Sequence, residues 1–187
     1  MKYLKPQELL KVLAEAKQHY GVRELAMFCL AYHHGLRASE ICKLLLTDIK
    51  DGTIDVRRLK GSLHTIQPLK SHDNPLLDEK RILAAWLRER EDNGSQFLFT
   101  SRLGSGMTRQ AVYHLFSKTA MRAGVGQKGS HCLKHSLGRH MVEQGVSIAH
   151  IQQMLGHADL KATATYLSIS QEDAATVADK AMASIFA

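Results

Sequence analysis

The stretch from His131 to Tyr166 constrains this chain more than any other part, because it combines helical spacing with protonatable side chains. Ser130 is suited to begin a helix as its N-cap, and residues along that helix advance by about 100° each. Leu133 and Leu137 therefore share one face. Three polar residues share another face, which is expected to be free to do chemistry: His131, Lys134 and His135.

A second helix, SIAHIQQML, is predicted to end at Gly156, because glycine favours the conformation that follows a helix. His157 then lies just beyond the helix end. Tyr166 follows nine residues later, in another short helical pattern. Several protonatable groups thus accompany one phenol.

The overall charge of the chain indicates the kind of partner it binds. The 187 residues carry a net charge of +7 and a pI near 9.4, which favours a polyanion whose phosphates basic side chains neutralise. Only 6% of the residues are aromatic, and they are not interleaved with the basic ones. A platform that stacks single-stranded bases is therefore disfavoured, and duplex contact fits better.

The apolar segments and the cysteines indicate a globular protein of the cytoplasm. The length suffices for a sizeable core, and no apolar run approaches the roughly 20 residues that a membrane span needs. The start, MKYLKPQELL, lacks the apolar region of a secretory signal. Cys29, Cys42 and Cys132 are scattered among apolar neighbours and are expected to be buried reduced thiols.

Apolar residues at helical spacing predict helices along most of the chain. Besides the two described above, the predicted helices are QELLKVLAEAK after Pro6, the uniformly apolar Arg23 to His33, Ala38 to Leu46, about Pro75 to Arg90, the segment from Thr108 to Gly124, and about 171–187.

Short alternating patterns predict a small sheet. An Asp51-Gly52 turn precedes a strand at Ile54 to Val56, and a second strand at Thr65 to Leu69 contains Pro68, which suits an edge. Lys60 is then carried at the tip of the hairpin, and Phe97 to Phe99 is predicted as one more strand. The fold class is therefore mainly α with a small antiparallel β-sheet (α+β).

Arg37 and Glu40 are candidates for a phosphate site. Displacing an oxygen at a phosphodiester needs cations for the non-bridging oxygens, a deprotonated nucleophile and a proton for the leaving oxygen. The guanidinium of Arg37 is a planar fork suited to phosphate, and Glu40 is expected to brace it. The alternative is an ordinary surface ion pair between the two residues.

Four motifs together resemble those of the tyrosine recombinases, also called phage integrases. They are GLRASE at 35–40, HCLKHS at 131–136, LGH at 155–157 and the single Tyr166. The resemblance implies the catalytic-domain fold of that family and a site-specific recombinase that cleaves and rejoins duplex DNA through a 3′-phosphotyrosine. No metal or nucleotide cofactor is implied. The chain looks closest to the compact recombinases that invert fimbrial promoter switches.

The resemblance also implies a role for each catalytic candidate. Tyr166 is the nucleophile, and Arg37 binds the scissile phosphate. Lys60 protonates the leaving 5′ oxygen. His131 is a proton acceptor or a hydrogen-bond donor near the tyrosine, and His157 donates to a non-bridging oxygen.

Two lysines leave alternatives open. Lys134 stands where the family has arginine; it is expected to contact the scissile phosphate still, with slower chemistry, because one ammonium replaces two parallel donors. Lys70 is the rival of Lys60 as the proton donor. His131 and His135, four residues apart, also resemble a metal pair, but the intervening residues lack the glutamate of H-E-x-x-H and include a cation, so no metal is expected.

The resemblance extends to DNA contacts and assembly. Thr108, Arg109 and Gln110 resemble the start of the helix that enters the major groove. Recombination implies four protomers on paired sites, with the helix at about 171–187 exchanged between protomers or packed in cis. Residues 1–187 are expected to form one catalytic domain without an N-terminal core-binding domain. The alternatives are a DNA-binding protein of the same fold without catalysis and a type IB topoisomerase-like enzyme.

Overall fold

The computed structural model describes residues 3–58, 62–101, 103–159, 163 and 166. The α-helices of this part are α1 (Pro6–His19), α2 (Val22–His33), α3 (Ala38–Ile41), α4 (Glu79–Glu89), α5 (Arg109–Arg122), α6 (His131–Glu143) and α7 (Ile148–Leu155). The strands are β1 (Ile49–Lys50), β2 (Thr53–Val56) and β3 (Thr65–Pro68). The prediction of a mainly α fold with a small antiparallel sheet is confirmed. None of the described helices combines the length and the apolar character needed to cross a bilayer. The helix predicted at about 171–187 lies outside the described residues.

Helix α2 lies in the middle of the hydrophobic core, as its nearly uniform apolar sequence predicts. It packs against α1, α4 and α6. Its Phe28 meets Phe116 of α5 edge to face, with ring centroids 5.0 Å apart. Because α2 is held by these neighbours, the turn that follows it, from His34 to Arg37, has a defined position relative to α6.

The three strands form an antiparallel sheet in the order β1-β2-β3. Asp51 and Gly52 connect β1 to β2 with φ angles of 50° and 73°, the two positive values that a type I′ hairpin turn requires. Pro68 pairs with Thr53 on the edge strand β3, where its missing N–H costs no ladder bond. The predicted hairpin of β2 and β3 is therefore confirmed. Ser62, between these two strands, forms a backbone bridge with His157, just after α7.

Two predicted elements near the sheet are shorter than the sequence indicates. The helix expected from Ala38 to Leu46 ends at Ile41, and the strand expected at Phe97 to Phe99 is reduced to one bridge with Leu45. The cause is a backbone pairing between these two segments, in which the Leu98 N–H donates to the carbonyl of Leu44 at 2.8 Å. A residue that pairs with a neighbouring segment cannot continue the helical ladder.

Two predicted helix starts are also corrected. The helix expected from Pro75 begins at Glu79, because the carboxylate of Asp78 accepts from the Arg81 N–H at 3.2 Å and caps it. Ser130 does precede α6, but its side chain makes no capping bond. Its own backbone is already helical, and the Cys132 N–H donates to the carbonyl of Gly129 at 2.9 Å.

Buried polar contacts fasten the end of α2 to the sheet and to α7. His34 Nδ1 lies 2.9 Å from Oε1 of Gln67 on β3. The amide of Gln67 in turn donates to the carbonyl of Met154 in α7 at 3.1 Å. Elements that are far apart in sequence are thus joined at one point, where the motif residues meet.

Candidate active site

Arg37 is the N-cap residue of α3 and closely follows the tight turn at Gly35. One guanidinium nitrogen, Nη1, donates to Oε1 of Glu40 and to Oγ of Ser62, each at 3.1 Å. The side chain of Arg37 is 32% exposed, whereas that of Glu40 is 1% exposed. Glu40 is therefore buried behind Arg37, in the position expected of a residue that braces the guanidinium.

Glu40 is the negative centre of a mostly positive cluster. Burial by itself would raise the pKa of Glu40, but the N–H of Arg37 and the charges of Arg58 and Lys134 outweigh it and lower the pKa. The carboxylate is therefore ionised at neutral pH. Three cationic side chains surround one anion, which leaves the cluster with excess positive charge for a phosphate.

Arg58 is a member of this cluster, although none of the sequence motifs assigns it a role. Its side chain is fully buried. Its guanidinium donates to the carbonyls of His34 (2.8 Å), Gly35 (2.9 Å) and Met154 (3.0 Å) and to the Glu40 carboxylate (3.3 Å). Arg58 therefore joins the end of α2, the brace of Arg37 and the end of α7. The alternation of buried Ile54 and Val56 along β2 is the signal that places Arg58 on the inward side.

Lys134 occupies the interior of the site rather than its surface. Only 1% of the residue is exposed, and its Nζ donates to the carbonyl of Leu155 at 2.6 Å. Burial and the charges of Arg58 and Arg37 lower its pKa to about 7, with Glu40 opposing the shift. The expectation that this whole face of α6 is free is wrong at Lys134, because α6 packs against α2 and α7 there.

His131 and His135 of α6 lie side by side at the end of the site nearest the helix start. Their rings meet edge to face with centroids 4.6 Å apart. Burial, together with the charges of His135 and Lys134, lowers the pKa of His131 to about 4. Among the described residues, no three His, Cys, Asp or Glu side chains are grouped as metal ligands.

His157 follows Gly156, which has the left-handed conformation (φ 65°) predicted for the residue that ends α7. Nδ1 of His157 lies 2.9 Å from the hydroxyl of Thr163. Burial and the charges of Lys134 and Arg37 lower the pKa of His157 to about 4, so the ring is neutral at physiological pH. A backbone bridge to Ser62 brings His157 to the hairpin segment that also contacts Arg37.

The phenol of Tyr166 lies within the same group of side chains. Its ring is parallel to that of His157, with centroids 6.4 Å apart, and its hydroxyl lies 3.1 Å from Nδ1 of His135. A Cβ atom at Gly138 would lie 2.8 Å from the tyrosine ring, so the missing side chain makes room for it. Burial raises the pKa of Tyr166 to about 12, while the charge of Arg37 acts in the opposite direction.

Two further predictions concern the rim of the site. Lys60 lies outside the described residues, although Ser62, two residues on, accepts a hydrogen bond from Arg37.

Thr108 caps α5 as predicted, accepting from the Ala111 N–H at 3.1 Å. Arg109 and Gln110 line a cleft of about 530 Å³ together with Arg37, Tyr113 and His131. The first turn of α5 thus opens onto the site.

Comparison with known proteins identifies the family of this chain. The profile of the Phage integrase family matches residues 2–173. The chain belongs to this family. The Type 1 fimbriae regulatory protein FimE of Escherichia coli (strain K12) is 33% identical over 153 residues, which cover 78% of this chain and 74% of FimE. The family, the fold class and the enzyme class inferred from the motifs are confirmed: this phage integrase homologue is a tyrosine site-specific recombinase.

Solved structures show the same fold. A crystal structure of the XerH site-specific recombinase bound to difH substrate matches with a TM-score of 0.78 and 23% identity, over 95% of this chain and 54% of XerH. A lambda integrase tetramer bound to a Holliday junction matches with a TM-score of 0.68 and 23% identity, over 88% of this chain and 47% of the integrase. The chain thus spans about half the length of these two recombinases.

Proposed function

We propose that this phage integrase homologue cleaves and rejoins duplex DNA by attack of the Tyr166 hydroxyl on a phosphodiester held beside Arg37. The observation that carries the proposal is the position of Tyr166. Its hydroxyl, the neutral His157 ring and the excess positive charge around Glu40 occur in one site of a single chain. Attack leaves a 3′-phosphotyrosine and a free 5′ hydroxyl, and the hydroxyl of a partner strand reverses the step.

The other candidates divide the remaining tasks in this proposal. Arg37, which is partly exposed, binds the non-bridging oxygens, and His157 donates to one of them. Lys60 protonates the leaving 5′ oxygen. Lys134 attracts the phosphate through its positive charge from within the protein, since its ammonium is buried.

The proposed partners are duplex DNA and further copies of this chain. XerH is described in complex with its DNA substrate and lambda integrase as a tetramer on a Holliday junction, and we extend both properties to this chain. Arg109 and Gln110 at the start of α5 contact the DNA beside the cleft.

Residues 1–187 act as one catalytic domain, whose segment at about 171–187 is exchanged between protomers or packed in cis. Such a protein works at the nucleoid of the cytoplasm.

A duplex nicked close to the cleavage point tests this function, because a short fragment lost after cleavage prevents rejoining. A recombinase accumulates a protein-DNA adduct that resists denaturation. A binding protein without catalysis gives a mobility shift and no adduct, which would contradict the proposal. Relaxation of supercoiled plasmid by a monomer, without strand exchange between two sites, would favour the topoisomerase alternative.

Lys134 predicts a pH dependence of DNA binding. Because its pKa in the free protein is about 7, the ammonium loses its proton as the pH rises above that value, and charge for the phosphate is lost. We expect the affinity for duplex DNA to fall above pH 7 by up to about tenfold per pH unit. His131 and His157 stay neutral in this range and the arginines stay charged, so neither contributes.

The matched variant is Lys134→Arg, which keeps its charge and should bind DNA equally at all these pH values. Fluorescence anisotropy with a labelled duplex measures the effect at constant ionic strength. An identical pH dependence in both proteins would contradict the role of Lys134. Lys134→Ala should also slow cleavage, and an unchanged rate in that variant would remove the residue from the site.

A further inference from the structure

The side chain in contact with the Tyr166 hydroxyl is His135, a residue to which neither the motifs nor the family resemblance gave a role. The hydroxyl oxygen lies 3.1 Å from Nδ1 of His135. The two rings are inclined by 60°, with centroids 5.6 Å apart, so that a ring nitrogen rather than the ring face meets the phenol. The family resemblance implies a proton acceptor or a hydrogen-bond donor at His131, one helical turn earlier.

The other two histidines of the site are oriented differently towards Tyr166. His157 is stacked on the tyrosine with an angle of 7° between the ring planes, and its Nδ1 is engaged with Thr163. His131 contacts the ring of His135 edge to face. His131 thus contacts His135, and the ring plane of His157 is nearly parallel to that of the tyrosine.

A base in hydrogen-bond reach matters here because the phenol keeps its proton at neutral pH. Burial holds the pKa of Tyr166 at about 12, even with the opposing charge of Arg37. A nucleophile of this kind becomes effective when a neighbouring base takes its proton during attack. Geometry is the first requirement for that base, and among these three histidines the bond at 3.1 Å belongs to His135.

We propose that His135 is a catalytic residue that accepts the proton of Tyr166 as its oxygen attacks the phosphorus. The proposal rests on the function proposed above. In this step the O–H bond of the phenol breaks and an Nδ1–H bond forms on His135. The tyrosine oxygen bonds to phosphorus, the bond from phosphorus to the 5′ oxygen breaks, and the 5′ oxygen takes a proton from the general acid, Lys60. Rejoining runs the same transfers backwards.

The surroundings of His135 suit this role. On α6 it follows Lys134 in the sequence, its ring contacts that of His131 edge to face, and Arg139 lies one turn later. His131 and His157 have pKa values of about 4 and stay neutral, so they do not repel a protonated His135. Arg139 donates to the carbonyl of Tyr166 at 3.4 Å and so helps to hold the tyrosine over the helix.

The test compares single-turnover adduct formation on the nicked duplex from about pH 6 to about pH 9 for wild type, His135→Ala and His135→Asn. Asparagine places an amide atom where Nδ1 stands, so it keeps a hydrogen bond to the phenol but cannot take its proton. Both variants should be slower at pH 7 by about 100-fold to 10,000-fold. Their rates should then rise about tenfold per pH unit as hydroxide ionises the phenol, while the wild-type rate levels off.

Three controls make the result decisive. Adduct formation by the wild type establishes the proposed function independently of His135. His150→Ala, which removes an exposed histidine at the start of α7, should leave the rate unchanged. A duplex with sulphur in place of the bridging 5′ oxygen needs no general acid, and both His135 variants should stay slow on it.

Two outcomes would overturn the proposal. A wild-type rate in His135→Asn would mean that the residue only positions the phenol. A fall in the rate of adduct formation that is the same at every pH in both His135 variants would also exclude proton transfer to His135. Circular dichroism and melting temperatures confirm that the variants are folded, and the asparagine variant provides the test if alanine does not fold.

Discussion

A Tyr166→Phe variant is expected to form no denaturation-resistant adduct with the nicked duplex, while its affinity for DNA stays close to that of the wild type. The substitution removes only the hydroxyl, so the ring still fills the space over Gly138 and lies parallel to His157. Without the oxygen there is no nucleophile, and no other group of the site substitutes for it. The fall in adduct formation should therefore be complete within the detection limit.

Loss of the bond to His135 should cost only about 1 kcal/mol of stability, so the variant remains folded. Tyr20→Phe is the matched control, because Tyr20 lies at the end of α1 and packs against His19. It should retain full adduct formation. An adduct of undiminished yield in Tyr166→Phe would show that another residue attacks the DNA.

An Arg58→Met variant is expected to lose about 3–5 kcal/mol of the free energy of unfolding, as expected when one partner is removed from a buried ion pair. Methionine fills much of the volume but donates no hydrogen bond. The carbonyls of His34, Gly35 and Met154 would lose their donor, and the buried Glu40 would lose one of its cations. Urea unfolding followed by circular dichroism measures the change.

Arg81→Met provides the comparison for Arg58, because Arg81 lies on the exposed side of α4. We expect its unfolding free energy to change by less than about 0.5 kcal/mol. Equal stability losses in the two variants would refute the account of Arg58. The Arg58 variant should also cleave DNA more slowly, and by more than its smaller folded fraction explains. The reason is that Glu40, which holds Arg37 in place, loses its hydrogen bond from Arg58.

Local patterns in the sequence were enough to predict most of the fold. The apolar run of α2, the Asp51-Gly52 turn and the glycine that ends α7 each depend on neighbours within a few residues, and each appears as predicted. The helix after Arg37 and the strand at Phe97 were predicted too long, because they pair with each other through the backbone. Pairing between distant segments leaves no mark in the local spacing.

The sequence selects candidate residues that the structure brings together, but it does not predict which of them are buried. Helical spacing and the family resemblance selected His131, Lys134 and Tyr166, and all three lie in one site. Spacing along one helix cannot show which polar face is covered by another helix, so the burial of Lys134 was missed. The contact of His135 with Tyr166 and the central position of Arg58 likewise arise only when α6, α7 and the hairpin come together.

The atom of the protein that carries DNA after cleavage can be identified directly. The adduct formed on the nicked duplex is digested with protease and nuclease, and the remaining peptide is sequenced by tandem mass spectrometry. We expect one modified peptide, with a nucleotide attached through its 3′ phosphate to the oxygen of Tyr166. A nucleotide on any other residue, or attachment through a 5′ phosphate, would contradict it.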